Sequence, residues 1–132
     1  MYNKTLGYDR RRFQRLSLNV EVIYSIKEPM GARIAIGDMD IQAQMIDLSQ
    51  VGLAIATKYN IPAGTLLSIR FDLAKMNEKG TASFYQAIKV AGDVRSNIKL
   101  SKDEYRLGIC FLKIDDKDKA MIEEFVSMAL GH

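Results

Sequence analysis

The chain has 132 residues, 48% hydrophobic and 27% charged, with a net charge of +3, one cysteine and one histidine. That length makes one domain, with a core large enough to need no staples, and the composition excludes a disordered chain. One cysteine excludes an internal disulfide. No apolar run approaches the roughly 20 residues needed to span a bilayer, and the N-terminus lacks a signal-peptide core. The expectation is a cytoplasmic protein that does not insert into a membrane.

Residues 1–15 precede any packed pattern and are read as an N-terminal arm. Within them "DRRRFQR", Asp9 to Arg15, sets four arginines around Phe13. The mild net charge is accounted for by this cluster alone, which points to a local anionic partner rather than a generally basic protein. Residues 16–132 are read as the folded unit.

Strands follow almost throughout. "LSLNVEVIYSI" alternates, with Leu16, Leu18, Val20, Val22, Tyr24 and Ile26 opposed to Ser17, Asn19 and Glu21. "IQAQMID" repeats the period with Ile41, Ala43 and Met45. "GLAIAT" is short. "LLSIRFDL" alternates through Leu67, Ile69, Phe71 and Leu73, and "YQAIKVAGDVRS" and "YRLGICFLKI" complete the set. This is the signal of half-buried strands, and "KEPMG", "IPAG" and "NEKG" punctuate them. Cys110, inside the last of these runs, reads as a small packed hydrophobe, in keeping with a reducing compartment. Short strands at near-regular spacing predict a barrel or sandwich. The chain ends in a helical pattern, with Met121, Ile122, Phe125, Met128 and Ala129 on one stripe. Asp115 or Asp116 suits its start, Asp118 its first turn and Gly131 its end.

Catalytic parts are missing from this inventory. The only histidine is His132, the last residue, so no core base or transition-metal site is expected. There is no nucleophile–base pair, phosphate-cradling glycine loop or acid–base carboxylate pair. The expectation is a binding module, not an enzyme.

"DLSQVGL", Asp47 to Leu53, falls between two predicted strands. Asp47 and Ser49 can hydrogen-bond beside the turn, and Gly52 permits a close approach that other residues resist. Alone, it reads as a polar turn. It is not alone: Arg11 and Arg15 form R-x-x-x-R before the first strand, and Asp47, Ser49 and Gly52 form D-x-S-x-x-G after the second. Together they resemble the PilZ domain, a family of bacterial receptors for cyclic di-GMP. "GDVR" (Gly92–Arg95) is similar to its penultimate strand and "YRLGICF" (Tyr105–Phe111) to its closing G-x-x-F strand, so the resemblance runs from about Asp9 to Leu130. Val51 departs from the family, many members of which have a second glycine there.

The resemblance implies a mainly β fold: one six-stranded antiparallel barrel with a C-terminal α-helix. It implies cyclic di-GMP as ligand, bound by Arg10, Arg11, Arg15, Asp47, Ser49 and Gly52, in a bacterial cytoplasm. The residue types suit that ligand. An arginine fork binds phosphate bidentately and can bond guanine O6 and N7 or stack on a base. Asp47 can accept from guanine N1–H and N2–H₂. The arm is then expected to close over the nucleotide as an order–disorder switch. Family members take one nucleotide or an intercalated pair, and Arg10 favours the pair. A stand-alone receptor would signal through an unidentified effector protein, in motility, pili, exopolysaccharide synthesis or virulence. Two rivals stand beside this reading. One is a small barrel that binds nucleic acid through a basic arm, although Asp47 would repel phosphates and no DNA or RNA is expected. The other is a PilZ-like adaptor without ligand.

Overall fold

A sheet with one apolar face must bury it, and closing into a barrel does so while removing both sheet edges. The computed structural model of the protein describes residues 16–30, 40–76, 79 and 82–129. Six strands lie in it: β1 Leu16–Glu28, β2 Ile41–Ser49, β3 Gly52–Thr57, β4 Leu66–Met76, β5 Ala82–Ser101 and β6 Glu104–Lys113. They form a closed barrel in the order β1-β2-β3-β6-β5-β4, in which β1 pairs with both β2 and β4 and every pairing is antiparallel. The alternation left barrel and sandwich open; the six-stranded antiparallel barrel that the resemblance implies is the architecture observed.

The core is the inward set of each strand. Val22, Tyr24 and Ile26 come from β1, Ile41, Ala43 and Met45 from β2, and Leu67, Ile69, Phe71 and Leu73 from β4, all buried. Tyr24 is the large polar exception; its phenol oxygen lies 2.7 Å from Thr57 Oγ1 of β3. The helix α1, Asp116–Ala129, follows β6. The Asp115 carbonyl accepts from the Lys119 N–H at 2.9 Å, which makes Asp115 the residue at the helix start. Ile122, Phe125 and Val126 are buried in the barrel core cluster, and α1 packs against β2, β4 and β5. Val126 belongs to the buried stripe and was missing from the expected one, whereas Met121 is only partly buried. The side chains of Met128 and Ala129, with Gly131, lie outside the described residues.

Register shifts interrupt several of these pairings, β1 with β2 between Ser17 and Val20 among them, and two bear on the residues discussed below. β2 and β3 pair Met45 with Ile55 and then Asp47 with Ala54, so Ile46 is an extra residue. Strict alternation from Ile41 would aim Asp47 into the core. The bulge shifts the phase, so Leu48 points inward and Asp47 and Ser49 outward. β5 repeats the device: Val94 pairs with Ile109 and Ser96 with Gly108, leaving Arg95 extra.

Candidate functional site

The turn between β2 and β3 is built by its own side chains. Ser49 pairs with Gly52 across the turn. The Ser49 hydroxyl accepts from the Val51 N–H at 3.3 Å and donates to the Gly52 carbonyl at 3.3 Å. Ser49 is fully buried, so its hydroxyl is committed to holding the turn. No described residue other than glycine has a positive φ, so Val51 is accommodated in this turn without backbone strain. The Val51 carbonyl also accepts from the Phe111 N–H at 2.9 Å, tying the turn to β6.

Gly52 is required by packing. A Cβ there would lie 2.2 Å from the Ile109 carbonyl oxygen, because β3 and β6 run too close at this register for any side chain.

Asp47 is on the outer face yet only 5% exposed. Its Oδ2 accepts from Arg106 Nη2 of β6 at 3.1 Å. The pair is partly shielded from water, so removing one partner leaves a poorly solvated charge. Arg106 is a residue that sequence reading missed. Its only signal was its phase on β6, opposite to Leu107 and Ile109; nothing in "YRLG" indicates a partner 59 positions away.

Asp47, Ser49 and Gly52 are thus brought together at one end of the β2–β3 hairpin. Arg10, Arg11 and Arg15 lie outside the described residues, as does the expected closure of the arm. The chain enters β1 at Leu16, opposite Leu48, and Ser17 stands opposite Asp47; the R-x-x-x-R stretch is joined covalently to that point.

Cys110 corrects an expectation. It is half-buried, with its thiol 3.7 Å from the Phe111 carbonyl. Its phase on β6 is opposite to that of Leu107 and Ile109, and it lines a surface cleft of about 300 Å³ with Arg95, Ser96 and Arg106. Among the described residues no cluster of histidine, cysteine and acidic side chains could hold a metal, and no helix is long and apolar enough to cross a membrane.

The PilZ domain family model matches residues 9–127. Solved structures with a similar fold include the Bacillus subtilis inhibitor of motility MotI/DgrA, with a TM-score of 0.67 at 15% identity over 93% of this chain and 53% of that one. The PilZ domain of Escherichia coli YcgR, solved with c-di-GMP, gives 0.57 at 14% identity over 91% of each chain. The MrkH–c-di-GMP complex of K. pneumonia gives 0.60 at 17% identity over 93% and 52%. This chain therefore spans about half the length of the MotI/DgrA and MrkH chains. No curated protein sequence matches it.

Proposed function

The chain belongs to the PilZ domain family, and on that premise we propose that it is a cyclic di-GMP receptor that signals to a partner protein. The observation that carries the reading is the pairing of Ser17 with Asp47. It sets the strand that follows the R-x-x-x-R stretch alongside the D-x-S-x-x-G hairpin, which supports the reading that the two motifs share one surface. Arg11 and Arg15 supply bidentate donors for phosphate and guanine. Asp47 supplies an acceptor for the guanine N1–H and N2–H₂ edge, held in place by Arg106. Ser49 and Gly52 serve from within the turn, by fixing its shape and keeping it low. Arg10 adds a third guanidinium, which suits a second intercalated nucleotide. Closure of the arm over the ligand is the event a partner would sense. YcgR and MrkH were solved with c-di-GMP, and MotI/DgrA is an inhibitor of motility; a role in motility is the corresponding proposal for the partner.

Titration calorimetry tests the reading. A charge-assisted hydrogen bond is worth about 1.5–3 kcal/mol, so Arg11→Ala or Arg15→Ala is expected to weaken cyclic di-GMP binding by roughly tenfold to more than a hundredfold. Unchanged affinity in both variants, with circular dichroism intact, would sink the assignment. The same titration reads one or two nucleotides per chain.

A further inference from the structure

β5 outruns one of its neighbours. It continues to Ser101, whereas its pairing with β4 stops where Leu66 meets Asp93. The loop after β3 takes over for a short distance. Val94 exchanges backbone hydrogen bonds with Gly64 and Thr65, at 2.7 and 2.9 Å. The Asn97 side-chain amide then donates to Asn60 Oδ1 and to the Ile61 carbonyl, both at 2.7 Å. From Ile98 to Ser101 the strand is paired with β6 on one side, and among the described residues no backbone group meets it on the other. The closed barrel thus keeps one short open edge, a row of backbone donors and acceptors that can template another strand.

The side chains there are apolar and basic. Ile98 and Leu100 are 53% and 47% exposed, and Lys99 lies between them. Residues 94–102 hold Arg95, Lys99 and Lys102 and no acid. Arg95 is held by Asp93, whose Oδ2 accepts from its Nε at 2.7 Å. Lys99 and Lys102 are exposed and make no ion pair among the described residues. The acids that follow, Asp103 and Glu104, lie in the connection and on β6, on the paired side of β5.

A second copy of the chain is a poor occupant of this edge. An isologous antiparallel pairing that sets Ile98 against Leu100 sets Lys99 against Lys99, and like charges directly opposite destabilise a pair. A segment with acids at those positions has the matching charge and brings its own apolar side chains to Ile98 and Leu100. We propose that the open edge of β5 at residues 98–101 is a docking site for an extended acidic and apolar segment of the partner protein, which adds to the barrel wall as a further strand. The inference rests on the partner-signalling part of the reading above and uses none of the motif residues.

Peptide titration with the full chain tests it. The probe is a fluorescent peptide of alternating glutamate and valine; one control carries lysine for glutamate, another N-methyl groups on alternate backbone nitrogens. The probe is expected to bind and to slow hydrogen exchange at the amides of residues 98–101 by at least about tenfold. N-methylation and the lysine exchange are each expected to weaken binding by at least about tenfold. Lys99→Glu is expected to weaken the glutamate probe roughly threefold to tenfold, with cyclic di-GMP affinity within about twofold of wild type. No binding of the probe, equal binding of either control, or protection confined to other residues would overturn the docking site. So would a dimer in sedimentation that protects the same amides, which would give the edge to a second copy. Each of these results leaves cyclic di-GMP binding by wild type, and with it the receptor reading, intact. A wild type that binds the probe but no cyclic di-GMP would remove the receptor reading and leave the docking edge standing.

Discussion

Gly52 illustrates how a motif residue can be fixed by the barrel. The Ile109 carbonyl occupies the space its Cβ would need, at 2.2 Å, and that atom belongs to a backbone paired on both sides. Gly52→Ala must separate β3 from β6 locally. Overpacking of this kind costs about 1–3 kcal/mol, so urea denaturation is expected to show a lower midpoint by that amount. Full stability in this variant would refute the packing account and return Gly52 to a role at the ligand. Tyr24 sets a different residue-scale expectation. Burial raises its phenol pKa from 10.0 to about 12, against the lowering effect of Thr57, with Tyr59 adding slightly to the rise. The folded state resists ionisation that the unfolded chain accepts. The stabilising contribution is therefore complete below pH 10 and is lost as pH climbs toward 12, at about 1.4 kcal/mol per pH unit. Denaturation midpoints across that window are expected to fall steeply in wild type and less so in Tyr24→Phe; equal slopes would refute the assignment.

At the scale of elements, what was legible followed from period. β4 alternates without interruption, and its four expected core residues are the four that are buried. β1 and β2 were legible up to their bulges. The phase shift at Ile46 was not, because a bulge inserts a residue without any compositional mark, and it decides that Asp47 faces out. β5 ran longer than its expected 85–96, reaching Ser101. Its last residues, Asn97 to Ser101, pair with β6 across a tight connection at Lys102 and Asp103, and that pairing extends the strand past the polar Ser96 and Asn97, where the expected run ended. The Asp47–Arg106 contact was illegible for the same reason: it depends on strand order, which brings β3 between β2 and β6. The helix was legible as a stripe, and its energetic role is testable. Ile122 is fully buried against the barrel, so Ile122→Ala should cost about 2–5 kcal/mol. Thermal unfolding would report it, and a loss below about 1 kcal/mol would mean that α1 is only loosely seated.

Over the whole molecule, charge is divided unevenly along the chain. Lys4 and the four arginines against Asp9 leave residues 1–15 at a net +4, while the rest of the chain, barrel and helix included, carries −1. A nucleic-acid-binding barrel would use its positive field over many phosphates, and its affinity would fall steeply with salt. Asp47 would then be a repulsive group near the entry of the arm. A dinucleotide receptor instead needs few cations and one well-held carboxylate. Asp47→Ala separates these two designs on a single protein. It removes the guanine acceptor and frees Arg106, so cyclic di-GMP binding is expected to weaken at least about tenfold. Under the nucleic-acid reading the same change removes a negative charge and adds an unpaired cation, so single-stranded DNA would bind as well or better. In wild type, excess single-stranded DNA is expected to leave cyclic di-GMP binding unchanged, because the acceptor and the turn make demands that a simple polyanion does not meet. Displacement of cyclic di-GMP by DNA, together with improved DNA binding in Asp47→Ala, would overturn the receptor assignment in favour of the basic-arm barrel.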